Sequence, residues 1–411
     1  MTRRTLWRVL AALGIVLALA VVVAGIGVWR GWFDEGSVEG TTEGFRPREA
    51  PKGEAGATSW PEYGFDPERT RANPALALAP PFRQVWRHDA GALLEFPPVV
   101  GGGRVFVGTN AGRMLALDAR TGGAVWSRRL VGRVAASPAL AGQRLVLVTT
   151  TRGLLYALDQ RTGGVVWRRS TGSSSESSPV VLDGDAYIGN LDGEVLRVDL
   201  TAGRPVWTAK AGGAVKSSLA RSGDLVVVGD YSGKVTAFRR RDGRVMWQTT
   251  SPGKRFQGAG RFYGGPGVAY GRVFIGNVNG RVVALSADRG DVAWVRVLSD
   301  YVYSSPAVDR RLVMVGSYDQ RLHALDAVTG DERWSFDAGE RISGSPTVFG
   351  RLVWFATLAR NPREGRTYAL DVRTGRHVLT FPDGRYTPAV GIDGLLVLTG
   401  VRTLYGLTPR R

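Results

Sequence analysis

From Pro81 onward, short apolar runs recur between clusters of Gly, Asp, Thr and charged residues. The runs are too short for helices and rich in Val, Leu and aromatic residues, so they predict β-strands. The pattern repeats at about 40 residues, the mark of a stacked or circular repeat architecture. The clearest copies are GRMLALDARTGGAVW, from Gly112 to Trp126, and GLLYALDQRTGGVVW, from Gly153 to Trp167. More degenerate copies end at Trp207, Trp247, Trp294 and Trp334, and a seventh places Leu379 where Trp is expected. Each copy reads as a strand, an Asp-capped turn and a second strand ending at the Trp. A Gly stands four residues before each of these end positions, as Gly122 does before Trp126, and it permits positive φ in the turn. A second pair of strands precedes each hairpin, opened by Ser-Pro pairs such as Ser137-Pro138 and Ser305-Pro306. Four strands per period predict one propeller blade.

The end positions count the blades. Trp86, Trp126, Trp167, Trp207, Trp247, Trp294, Trp334 and Leu379 enclose seven full periods. After Leu379 the chain holds three strand-like stretches and stops, whereas Phe82 to Trp86 is a Trp-ending strand with no hairpin partner before it. The two fragments complement each other. The expected fold is therefore all-β, an eight-bladed propeller of four-stranded antiparallel blades over residues 81–411, closed by strand 82–86. Closure removes the sheet edges that invite aggregation. The regular spacing of the tryptophans assigns them to packing between blades.

The N-terminal part follows another pattern. Val9 to Trp29 is one uncharged apolar run, and roughly 20 such residues span a bilayer. Arg3, Arg4 and Arg8 before it place residues 1–8 in the cytoplasm, and Trp7, Trp29 and Trp32 suit the two interfaces. This predicts a signal anchor over 9–29 with the propeller outside. The alternative is a cleaved signal peptide, for which Ala18-Leu19-Ala20 offers a small-x-small site. Residues 30–58, rich in Gly, Glu, Thr and Pro, read as a flexible linker. Aromatics return at Trp60 and Tyr63, so residues 59–80 read as a lead-in packed on the propeller.

Composition narrows the chemistry. The 411 residues include 56 Gly and no Cys, which excludes disulfides, thiolate metal sites, a cysteine nucleophile and lipid attachment through Cys. The formal net charge of +18 is carried almost entirely by Arg, scattered without a dense block, and gives no reason to expect a nucleic-acid partner. His88, His323 and His377 lack metal-ligand spacing. The Ser-rich stretch Ser173 to Ser178 lacks a G-x-S-x-G elbow, and the glycines belong to turns rather than a phosphate loop. Two insertions break the period, Ser251 to Gly260 with Lys254 and Arg255, and Arg360 to Arg366; each is a candidate partner contact.

A propeller binds with the loops at one mouth of its channel. Aligning the segments that lead into each blade's first strand puts Glu95, Glu176, Lys216, Tyr263, Tyr303 and Arg385 at one position, along with Ala135 and Ser343. Two residues earlier stand Arg133, Arg261, Tyr301 and Arg341, with Asp383 in the last blade. The position between is mostly apolar, so alternation puts both sets on one face. That face is polar, aromatic and net basic, and is the candidate binding surface: Arg clamps carboxylates or phosphates, and Tyr stacks on rings.

The repeated A-x-D-x-x-T-G-x-x-x-W pattern, best kept at Ala116 to Trp126, resembles the pyrroloquinoline-quinone (PQQ)-type repeat and is similar to BamB-like, membrane-anchored propellers. The resemblance covers about Pro81 to the C-terminus. It implies an extracytoplasmic propeller at a bacterial cell membrane, crossed once by the N-terminal helix. Its expected role is a non-catalytic scaffold binding a protein or an envelope polymer. Two alternatives stand beside it. A PQQ-dependent quinoprotein dehydrogenase requires carboxylates around Ca²⁺, for which only Glu95, Glu176 and Asp383 are available, on separated blades. A carbohydrate-binding propeller would use Tyr263, Tyr301 and Tyr303. The expected cofactor set is none.

Overall fold

The computed structural model describes residues 14–18, 21–22, 36–53, 56–252, 258–386 and 389–410. Most of the predicted anchor, the basic tail before it, Lys254 and Arg255 lie outside the described residues. Among the described residues, no helix is long and apolar enough to cross a membrane.

The body is an eight-bladed propeller of antiparallel blades. Blade 1 runs Val99–Gly101, Arg104–Gly108, Arg113–Asp118 and Ala124–Arg129, from the channel outward. Six further blades repeat this order, down to blade 7 with Thr347–Phe349, Leu352–Ala356, Thr367–Asp371 and His377–Phe381. Blade 8 is composite. Ala389–Ile392, Leu395–Thr399 and Thr403–Pro409 are completed by Phe82–Asp89, which pairs antiparallel along the whole of Thr403–Pro409. The two middle strands of each blade are buried on both faces, as in the fully buried Leu145–Thr150. The core is accordingly a series of apolar clusters between neighbouring blades, such as the one formed by Phe106, Val148 and Leu158.

The tryptophans fasten one blade to the next. Each indole N–H donates to a carbonyl in the following blade's outer hairpin turn: Trp86 to Ala119, Trp126 to Gln160, Trp167 to Leu200, Trp207 to Arg240, Trp247 to Ala287, Trp294 to Ala327 and Trp334 to Val372, at 2.8–3.1 Å. The ring lies on the turn glycine. At Gly163 a Cβ would sit 2.6 Å from the Trp126 ring, and φ is +69°. The turn glycine therefore serves close approach as well as backbone conformation. This also explains Leu379. Blade 8 has no outer hairpin turn, because its two outer strands come from opposite ends of the chain. A Trp at 379 would have no turn to dock on, and Leu379 packs into the apolar cluster there instead.

Residues 57–73 run inside the channel. The innermost strand of every blade leaves its unpaired edge facing this space, with backbone N–H groups to satisfy. Carbonyls of the lead-in accept them in turn: Trp60 from Val100, Pro61 from Leu140, Pro67 from Arg221, Glu68 from Val268, Thr70 from Val308, Arg71 from Val348 and Ala57 from Asp393. Blade 3 is met by the Glu62 carboxylate, which reaches the Val181 N–H. All eight blades thus contact one segment, and Ala72–Asn73 adds a parallel fifth strand to blade 7. One of its buried charge pairs is fully matched. Arg69 pairs with Glu62 at 3.0 Å and donates to the carbonyls of Pro179 and Leu219.

Gly36 to Gly53, within the linker expected over 30–58, makes contacts with the propeller. Val38 and Val295 exchange backbone hydrogen bonds on the outer strand of blade 5. Phe45 stacks on Tyr270 at 5.3 Å between Arg272 and Arg311. Arg272 also donates to the Thr41 carbonyl, and Arg46 and Glu43 pair with Asp288 and Arg289; composition displays none of these contacts, which is why it reads as a tether.

Candidate functional site

The mouth is built by the loops that lead into each blade's first strand. The apolar middle position of each loop is a pin. Leu94, Val134, Val215, Phe262, Val302 and Ile342 are all buried. Five of them press on a glycine at the end of a neighbouring strand, Phe262 on Gly229 being one instance. The residue before each pin is stapled by its carbonyl to the next inner turn, as Tyr301 is to the Tyr318 N–H at 2.9 Å. With the pin fixed, its two flanking residues stand at the mouth.

They separate into two tiers. Glu95, Glu176, Lys216, Tyr263 and Tyr303, with Ser343, line one central cavity of about 340 Å³. Arg133, Arg261, Tyr301 and Arg341 stand exposed on the rim and are not part of its wall. Arg385 lies over Tyr386, which does line it. Asp383 accepts from the Tyr405 hydroxyl at 2.9 Å and from the Val401 N–H, away from the cavity.

The floor comes from the lead-in. Tyr63 lines the cavity, and its hydroxyl shares hydrogen bonds with Ser305 and Ser345 at 3.2 and 3.0 Å. Those serines belong to a partial ring: Ser305 also receives the Gly265 N–H, and Ser345 the Ser305 N–H. Arg71 stacks under the Tyr63 ring at 4.2 Å and donates to the Pro346 carbonyl. Burial acts to raise the Tyr63 phenol, but the Arg71 guanidinium and the two serines outweigh it and hold it below its ordinary value.

One wall is aromatic. Tyr231, Tyr263, Tyr303, Tyr318 and Tyr301 touch in series, with ring centroids 4.9, 4.7, 4.7 and 6.2 Å apart. Three cations lie over rings of this series: Lys216 over Tyr263 at 5.1 Å, Arg261 over Tyr231 at 5.8 Å and Arg341 over Tyr318 at 5.4 Å. Lys216 is also bound to Glu176 at 2.7 Å. Burial pushes the Tyr303 phenol up, so it stays a neutral hydroxyl. Tyr231 and Tyr318 were outside the sequence-derived set because they sit on the inner turns, in GDYSG and GSYDQ. Aligning those turns as the lead-in loops were aligned would have found them. Tyr63 carries no comparable signal.

The fold and its mouth define an eight-bladed propeller of PQQ-type repeats. The family model described as outer membrane protein assembly factor BamB matches residues 76–151, 142–302 and 255–387, more than half of the chain, and the protein belongs to that family. Among solved structures it is similar to BamB from Moraxella catarrhalis, at 16% identity and TM-score 0.64, covering 80% of this chain and 98% of that one. A europium-containing methanol dehydrogenase is similar at 14% identity and TM-score 0.70, covering 85% and 98%. The quinohemoprotein alcohol dehydrogenase from Comamonas testosteroni is similar at 16% identity and TM-score 0.69, covering 87% and 82%. No curated protein sequence matches the chain. At these identities the likeness is one of fold, and fold alone does not assign chemistry.

The dehydrogenase neighbours raise the question of a quinone with a bound cation. A hard cation takes six or more converging oxygens. Here Glu176 is held by Lys216 and Asp383 by Tyr405. Among the described residues, no group of three His, Asp or Glu is placed to hold a metal ion. This donor set does not fit such a cation.

Proposed function

We propose that the protein is a non-catalytic recognition propeller that binds a protein or envelope polymer at its mouth. The supporting observation is a blind cavity, floored by Tyr63 and the lead-in, whose central cation and one carboxylate neutralise each other. A general base or nucleophile needs a poised partner. Among the described residues the cavity wall has no histidine, and its lysine is engaged by Glu176. The family's description as an assembly factor agrees with a partner-binding role in the envelope. The basic residues before Val9 and the apolar run after it support an anchor over 9–29, with the propeller on the extracytoplasmic side.

The test is chemical crosslinking on intact cells that express the full chain with an affinity tag, followed by recovery from solubilised membranes. The wild type is expected to retain a defined partner that Lys216→Glu and Tyr303→Ala lose. Recovery that ignores both substitutions would overturn the mouth as the binding face. Stoichiometric binding of PQQ with Ca²⁺ in calorimetry would overturn the non-catalytic reading.

A further inference from the structure

The chemistry of the mouth specifies its ligand more narrowly than the reading above, on which this inference rests. The cavity wall comprises five tyrosines, one phenylalanine, six serines, two glutamates, one lysine and three glycines. Among the described residues it has no aliphatic side chain. Apolar pockets for aliphatic groups are lined otherwise.

Three ligand classes fit poorly. A cation would seek the tyrosine faces, but Lys216, Arg261 and Arg341 already cover three rings of the series. Within the cavity an anion would seek Lys216, which Glu176 already neutralises, and Glu95 leaves the wall net negative, whereas the cationic Arg133, Arg261 and Arg341 stand on the rim outside it. An aliphatic side chain would find no matching surface. A neutral polyhydroxylated ring fits all three features. Its C–H face stacks on tyrosine, and its hydroxyls meet carboxylate, serine and phenol groups that both donate and accept.

The aromatic series also has direction. It runs from Tyr263 and Tyr303 in the cavity wall to Tyr301, which is 48% exposed on the rim. Tyr301 reaches Tyr303 directly at 5.9 Å, and Tyr318 closes a triangle with them, 4.7 Å from Tyr303 and 6.2 Å from Tyr301. A single sugar would need only the cavity, whereas a track that continues onto the rim suits a chain of sugars. We infer that the mouth binds an uncharged glycan chain, with one ring seated above Tyr63 against Tyr303 and the next residues crossing Tyr318 and Tyr301.

The full-length protein is titrated by calorimetry with cello-, malto- and chitotetraose and probed on an array of neutral and acidic glycans. At least one neutral oligosaccharide should bind, in preference to acidic ones. Tyr303→Ala and Tyr318→Ala should each weaken its Kd by roughly three- to tenfold, while Tyr303→Phe retains most of the affinity. Tyr301→Ala on the exposed rim and the shape-preserving Glu95→Gln repeat the test without disturbing the core, and near-UV circular dichroism checks each fold. Binding that survives loss of both Tyr303 and Tyr318 would overturn the site. If no neutral glycan binds but a membrane partner is still lost with Tyr303→Ala, the glycan inference fails and the recognition reading stands. If neither is found, both fail.

Discussion

Asp66 shows how much of this molecule rests on single side chains inside the channel. It accepts hydrogen bonds from the Thr70 N–H at 2.8 Å and the Thr70 hydroxyl, closing the turn that brings Arg69 and Arg71 into the channel. Burial pushes its carboxyl up from 3.8 to about 7, more than the Thr70 bonds lower it. A carboxyl raised in the folded state favours folding below its unfolded value, near 4, and that contribution is lost as pH rises through about 7. Asp66→Asn keeps an acceptor and removes the titration. The melting temperature of the wild type should therefore fall relative to Asp66→Asn between pH 5 and pH 8; parallel curves would contradict the buried carboxyl. Residues such as this were the least legible in the sequence. Glu62, Asp66, Arg69 and Arg71 are charged and close together, which ordinarily marks a solvated surface. Only the eight inward-facing sheet edges give such a segment a buried partner, and no single stretch of sequence displays those edges.

The unit that the sequence displays best is the outer hairpin with its Trp and Gly. Both residues recur because each performs a geometric task against the neighbouring blade, so spacing alone reveals them. The glycine pair in blade 2 separates the two tasks cleanly. Gly163 has φ +69° and lies under the Trp126 ring, whereas beside Gly164 only the Thr162 hydroxyl stands near, 3.2 Å from an added Cβ. Gly163→Ala should destabilise by about 2 kcal/mol, combining backbone strain with displacement of the indole. Gly164→Ala should stay within about 0.5 kcal/mol of the wild type. Urea unfolding of the pair measures the difference, and equal costs would remove the docking role given to Gly163. The mouth loops were legible for a similar reason. Their apolar pins repeat in register, and this placed Glu95, Glu176, Lys216, Tyr263 and Tyr303 around one cavity. The inner turns are as regular, with Gly112, Gly153, Gly193, Gly233 and Gly280 in register, but the position that holds Tyr231 and Tyr318 holds Asn110, Thr151, Leu191 and Val278 in other blades. No repeated residue type marks the two tyrosines, and none marks the contacts of Gly36 to Gly53.

Taken whole, the ring is held by two devices at the junction of its ends. Phe82–Asp89 pairs along Thr403–Pro409, and the lead-in bonds to all eight blades from within. Deleting residues 82–86 would strip the outer edge of blade 8 and remove Trp86, which is buried and bonded to Ala119 in blade 1. Loss of that Trp alone is worth about 3–5 kcal/mol, so the deletion should lower unfolding free energy by at least that amount. Unchanged denaturant midpoints would disprove closure by this strand. The same architecture blocks the channel from beneath and leaves the mouth as a cup rather than a pore, which suits the recognition proposed there. The most direct test places a photo-crosslinking amino acid at position 301 on the mouth rim or at position 125 on the outer edge of blade 1, in full-length protein in native membranes. Illumination should yield a discrete adduct from position 301 and none from position 125. Adducts from position 125 alone would contradict the mouth as the binding face.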